Sequence, residues 1–138
     1  MIFDKLYKIL EGEPKYRIEQ VKDAIFKKLA GNWLEASNLP KELKEKLNRE
    51  CPLEIKGQIF SSEDTQSTKA LITLSDDLKI ETVLLGHRDG RFTVCVSTQV
   101  GCPLDCKFCA TGKMGLIRNL DYGEMVDQDL FFSRYLAK

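Results

Sequence analysis

A chain of 138 residues that is 43% hydrophobic can bury one ordinary core or two small ones. Its 21 basic and 21 acidic residues cancel, which excludes a strong whole-protein attraction to nucleic acid or acidic membranes. No apolar run approaches membrane-spanning length, so no membrane partner is expected.

The opening MIFDKLYKILEGE interleaves Asp4, Lys5, Lys8 and Glu11 with its apolar residues and lacks the plan of a signal peptide. A cytoplasmic location is the expectation. There thiols stay reduced, and a tight cysteine cluster points to metal binding or catalysis before a disulfide framework. The odd count of five cysteines agrees.

The first fifty residues read as helices. From Tyr16 to Leu29 the apolar positions Ile18, Val21, Ile25 and Leu29 recur at threes and fours, with Ala24 and Phe26 beside them. Pro14 precedes this stretch and Gly31-Asn32 follows it. A third helix is expected from Pro40, capped by Ser37 or Asn38, with Leu43 and Leu47 inward among alternating charges. After Cys51-Pro52 the period changes from 3.6 to 2, which places a domain boundary there: residues 1–52 and residues 53–138.

Strands follow at LEIKGQIF (53–60), TKALITL (68–74) and KIETVLL (79–85), separated by SSEDTQS and SDD, and an antiparallel β meander is the simplest arrangement. His87-Arg88-Asp89-Gly90 supplies an Asp-Gly turn into a fourth strand, RFTVCVSTQ. Alternation along it puts Phe92, Val94 and Val96 on one face and Thr93, Cys95 and Ser97 on the other. Next comes a loop bounded by Gly101, Pro103, Gly112 and Gly115, then a helical DYGEMVDQDLFFSRYLAK. Strand, loop and helix in this order form the unit from which parallel α/β folds and barrels are built.

Within that loop Cys102, Cys106 and Cys109 stand at C-x3-C-x2-C. Structural zinc takes four ligands, commonly as two C-x2-C pairs, and the second pair is missing; His87 in its turn is a poor substitute. Three thiolates on a four-iron cubane leave one iron open to a substrate or cofactor. A small zinc-binding structural module using Cys95 with the three loop cysteines remains the competing reading of the residues.

The cysteine spacing with Phe108 between the last two resembles the radical S-adenosylmethionine superfamily. With SxQVGC (97–102), TGKMG (111–115) and RNL followed by Glu124 and Gln128, the chain is similar to the dual-specificity methyltransferases that act on adenine C2 in 23S rRNA and in tRNA. Weaker similarity reaches back through KIETV to Pro14, Arg17 and Gln20. The resemblance implies a [4Fe-4S] cluster on Cys102, Cys106 and Cys109, S-adenosyl-L-methionine on the open iron with Phe108 beside its adenine, and an external electron donor. It implies a methyl-cysteine intermediate on a cysteine absent from this chain. Cys95 would help resolve the protein–RNA adduct by proton removal and a disulfide with that cysteine, and Glu81 would accept a proton. Lys107, Lys113 and Arg118 are placed to balance cluster charge, and Lys22, Lys27 and Lys28 to reach RNA phosphates. A related branch methylates adenine C8, and this part of the chain does not separate the two.

A complete barrel needs at least about 200 residues. The expected architecture is therefore α/β: an N-terminal helical accessory module contacting RNA, a short antiparallel meander, and the first strand-loop-helix unit of a partial, TIM-like radical SAM barrel. Such a fragment, a monomer, is expected to be inactive alone.

Overall fold

The computed structural model describes residues 3–63 and 66–138. It divides into two compact units, Met1–Ile55 with Ser133–Lys138, and Lys56–Phe132.

The first unit holds helices α1 (Phe3–Leu10), α2 (Lys15–Lys22) and α3 (Lys41–Glu50). Its core gathers Leu6, Leu10, Val21, Ile25, Leu43 and Leu47 around Trp33, which has no exposed surface. The Trp33 indole Nε1 donates to the Cys51 carbonyl at 2.6 Å, giving its one polar atom a partner where water is excluded. Two helical expectations need correction. The stretch toward Leu29 does not stay α-helical: α2 passes into a π turn at Asp23–Lys27, Ala30 N closes on the Ala24 carbonyl, and Leu29 itself takes φ 52°. And neither Ser37 nor Asn38 caps α3; Pro40 occupies the cap position with no side-chain hydrogen bond, its fixed φ suiting a helix start.

In the second unit β1 (Gly57–Ser61), β2 (Ser67–Thr73), β3 (Lys79–Gly86) and β4 (Phe92–Cys95) form one antiparallel sheet in the order β1-β2-β3-β4. This is the expected meander, with β1 starting four residues later than its apolar pattern suggests. Asp77 (φ 63°) and Gly90 (φ 85°) supply the left-handed residue that each of the two later turns requires. One sheet face is buried through Ala70, Ile72, Ile80, Thr82 and Leu84. Helix α4 (Tyr122–Leu136) contributes buried Leu130 and Phe132 to the core. Its Phe131 ring lies where a Cβ on Gly57 would stand, 2.7 Å from the ring edge, so β1 reaches the helix only because residue 57 is glycine.

The apolar face expected for the fourth strand is not a core face. Phe92 and Val96 are exposed and Val94 half-buried, because among the described residues β4 is an edge strand with β3 alone beside it. The chain also does not pass from the cysteine loop straight into a helix. It returns as a strand: β5 (Gln99–Gly101) pairs antiparallel with β6 (Leu116–Asn119) in a separate two-stranded sheet. The cysteine loop is thus the tip of a β-hairpin. Among the described residues no helix is long and apolar enough to cross a membrane.

Candidate functional site

The hairpin is closed by glycine. At Gly101 φ is +77°, a conformation that side chains disfavour, and a Cβ there would stand 1.8 Å from the Gly115 carbonyl oxygen. Gly115 (φ 69°, ψ 174°) lies in backbone space that is essentially glycine's alone. With no Cβ at 101 and this backbone conformation at 115, Cys102 N donates to the Gly115 carbonyl at 3.0 Å and the two ends of the loop meet. Within the loop Cys109 N donates to Cys106 O at 3.0 Å, and Lys113 N to Cys109 O at 3.3 Å. Gly112 is buried against the Cys106 peptide, whose nitrogen a Cβ would approach to 2.9 Å. Gly101 and Gly112 therefore let backbone pass close to Cys102 and Cys106.

The three thiols so held are free and half-buried, and Cys95 is free as well. One loop carries Cys102, Cys106 and Cys109, yet among the described residues no three His, Cys, Asp or Glu side chains are grouped so as to hold an ion. As a donor set, three accessible thiols on a short glycine-hinged loop suit a soft metal centre with one open coordination position. Phe108 points outward with 94% of its surface exposed, and Leu104 and Met114 are exposed with it. Lys107 and Lys113 are exposed on the same tip.

Glu81 and Cys95 lie elsewhere in the unit, and strand register relates them. Val83 of β3 stands opposite Cys95 of β4, so Glu81, two residues from Val83, shares the open sheet face with Cys95 as its diagonal neighbour. Ile80, Thr82 and Leu84 point the other way into the core. Diagonal neighbours are separated by about 7–8 Å, still within reach of long side chains. Glu81 is exposed and pairs with Lys69 across the strand at 3.1 Å. Cys95 is also exposed. His87 is exposed in its turn, bound to Thr93 at 2.8 Å.

A charged knot anchors the returning strand. Arg118 of β6 grips Glu124 in the first turn of α4 with two hydrogen bonds of 2.8 Å, and reaches Asp76 in the β2–β3 turn at 2.8 Å. The fork geometry of the guanidinium matches a carboxylate bidentately. The Arg118 hydrogen bond holds the Glu124 carboxyl below its ordinary range against the opposing effect of burial, while its two acids raise Arg118 further. Arg118 is thus committed to acidic partners in its own unit, which weakens the expectation that it balances charge near the cysteines. Asp76 was not legible as a site residue, since an acid in a turn signals only a turn. For Glu124 and Gln128 the signal was the resemblance carried by RNL and the two residues that follow it.

No family model matches the chain. Curated relatives do. The chain is 46% identical over 127 residues to a probable dual-specificity RNA methyltransferase RlmN from Dictyoglomus turgidum, a match covering 92% of this chain and 36% of that protein. A protein of the same description from Carboxydothermus hydrogenoformans is 48% identical over 121 residues, covering 86% of this chain and 35% of its own length. The crystal structure of a radical SAM methyltransferase from Sphaerobacter thermophilus superposes with a TM-score of 0.85 at 37% identity, over 100% of this chain and 42% of that one. The chain accordingly spans about a third of the length of the curated relatives it matches.

Proposed function

We propose, on the premise that this chain is kin to the radical SAM dual-specificity RNA methyltransferases along nearly all of its length, that it forms the cluster-bearing N-terminal portion of an enzyme that methylates adenine C2 in 23S rRNA and tRNA. The observation that carries this reading is the glycine-closed hairpin whose single loop presents three free thiols at C-x3-C-x2-C.

Cys102, Cys106 and Cys109 would hold a [4Fe-4S] cluster, leaving one corner for the amino and carboxylate groups of S-adenosyl-L-methionine. When bound, that pair supplies one-electron cleavage of a carbon–sulfur bond, with the electron from an external donor. The chain's own residues supply the surroundings. Phe108, free of the core, is available to cover the cofactor's adenine. Cys95 and Glu81 share one solvent-open face, where a thiol and a carboxylate two residues out of register can serve successive proton transfers on one substrate atom. Cys95 is free to form a disulfide with the methyl-carrying cysteine, which this chain does not contain. Exposed Lys28 of the helical unit is available for RNA phosphates, as are Lys22 and Lys27 once they leave their surface pairs with Glu19 and Asp23. The reading includes a cytoplasmic, monomeric protein, and a fragment that does not methylate RNA by itself.

The test is anaerobic purification with iron and sulfide analysis. About four of each per chain are expected, falling sharply in Cys106→Ser. A colourless protein holding a single zinc would overturn the reading. Nucleoside analysis of RNA treated with the protein encoded by the continuous reading frame should show 2-methyladenosine; 8-methyladenosine would reassign the target carbon.

A further inference from the structure

The sequence marks Gln128 as part of a motif, and the proposed chemistry leaves it without a task. In the structure it is fully buried, with all of its described hydrogen bonds directed at backbone. Ser97 N donates to its Oε1 at 2.7 Å, and its Nε2 donates to the Ser97 carbonyl at 2.8 Å and to the Glu124 carbonyl at 3.3 Å. The side-chain amide therefore pairs with the Ser97 peptide as a neighbouring strand would.

The place matters because the sheets break there. Strand β4 ends at Cys95 and β5 begins at Gln99, so residues 96–98 belong to neither ladder. A buried peptide with no partner costs about 1–3 kcal/mol, and a segment with several such groups would not hold one conformation. Gln128 satisfies Ser97 on both sides. From the same residue the Ser97 hydroxyl donates to the Glu81 carbonyl at 2.6 Å, and Leu120 N closes on Thr98 O at 2.8 Å. Ser97 thus joins three things: Cys95 two residues upstream, the backbone of Glu81, and α4. One turn earlier on α4, Glu124 holds Arg118 on the opposite leg of the hairpin. Residues four apart on a helix share a face, so a single face of α4 grips both the strand entering the cysteine loop and the strand leaving it.

We propose that Gln128 is a positioning residue: by clamping the Ser97 peptide it fixes the face bearing Cys95 and Glu81 relative to the cysteine hairpin. The proposal rests on the reading of those residues given above. Glutamine suits the task because one planar group offers both donor and acceptor with no charge to bury. Methionine has similar length and bulk and offers neither, so Gln128→Met separates clamping from filling. Gln128→Glu adds a second distinction. Its ionised carboxylate would face the Ser97 and Glu124 carbonyls and be repelled, whereas its protonated form, favoured by burial, restores one donor and one acceptor.

The experiment uses the protein of the continuous reading frame, loaded with iron and sulfide anaerobically, and follows amide hydrogen exchange residue by residue together with RNA methylation. In Gln128→Met the Ser97 amide should exchange about tenfold faster or more, the loss of roughly one net hydrogen bond, while the Ile72 and Leu84 amides and the iron content stay at wild-type values. RNA methylation should fall by a similar factor. Gln128→Glu, compared with wild type at each pH, should methylate poorly at pH 8 and approach wild type near pH 5.5, because only the protonated side chain supplies the donor to the carbonyls. An unchanged Ser97 amide in Gln128→Met, a uniform rise at every amide, or full methylation beside a freed Ser97 overturns the proposal. If the wild-type protein carries no iron and methylates no RNA, the functional reading fails on that result alone, and the Ser97 exchange still decides whether the clamp exists.

Discussion

Replacing Gly101 by alanine tests the hairpin that the whole site hangs on. Two separable costs meet at this position. The left-handed φ of +77° costs a non-glycine residue about 1–2 kcal/mol. The added methyl would also stand 1.8 Å from the Gly115 carbonyl oxygen, so the strands must part, straining nearby backbone by about 1–3 kcal/mol and giving up the Cys102 N to Gly115 O hydrogen bond, worth about 1 kcal/mol. The expected loss is therefore about 3–6 kcal/mol, unless the loop opens first and limits it. Gly90→Ala is the control, because Gly90 has φ +85° but no heavy atom within 4 Å of a new Cβ; it should lose only the conformational part, about 1–2 kcal/mol. Urea unfolding of both variants measures the difference, and exchange at the Cys102 amide reports whether the loop has opened. Iron uptake should fall in Gly101→Ala and persist in Gly90→Ala. If Gly101→Ala loses no more than Gly90→Ala and its Cys102 amide stays protected, the close approach does not close the hairpin and the reasoning is wrong.

Acid should loosen the knot at the base of the same hairpin. Glu124 is held below its ordinary value of 4.5 by the Arg118 hydrogen bond, so unfolding raises its proton affinity, and its contribution is fully present above about pH 4.5 and lost as pH falls through the lower folded value. Urea midpoints of wild type should decline from pH 5 to pH 3 more steeply than those of Glu124→Gln; parallel slopes would remove the pair from the account. In the helical unit, Trp33→Phe leaves the buried Cys51 carbonyl without its 2.6 Å indole donor and removes ring volume, for an expected loss of about 2–4 kcal/mol. A thermal or urea shift equivalent to less than about 0.5 kcal/mol would show that the indole bond contributes nothing net.

What the sequence reveals and what it hides divides along the range of the interactions concerned. Period and turn chemistry are local, and they place β2, β3 and α3 within a residue or two of the observed elements. They also find the Asp89-Gly90 turn, where a left-handed residue is needed and glycine stands. Leu29 fits an apolar stripe, yet the closing of the π turn places it beyond the helix, an outcome decided by backbone hydrogen bonds that periodicity does not register. Strand β6 is hidden for a different reason. LIRN is short and mostly exposed, and it becomes a strand only because Gly101 and Gly115 let β5 return upon it. The shared face of Glu81 and Cys95 follows from strand register, and register depends on how the intervening turns are built. The open face of β4 depends on which strand, if any, lies beyond it, and no pattern within a strand carries that information.

The residues around the cysteines fix where their loop sits. Thiols at C-x3-C-x2-C can occur on any loop, and alone they specify neither where the loop sits nor what stands beside it. The residues around them supply that: Gly101 and Gly115 close the tip, Arg118 and Glu124 tie down one leg, and Ser97 and Gln128 tie down the other. None of these residues need touch a substrate, and each acts through backbone or through a charge partner within the same unit. A motif of this composition constrains the angle at which a cysteine loop leaves a sheet. The chemistry proposed above for the three thiols would require such a constraint, because a radical formed away from its target would react with whatever lay nearest.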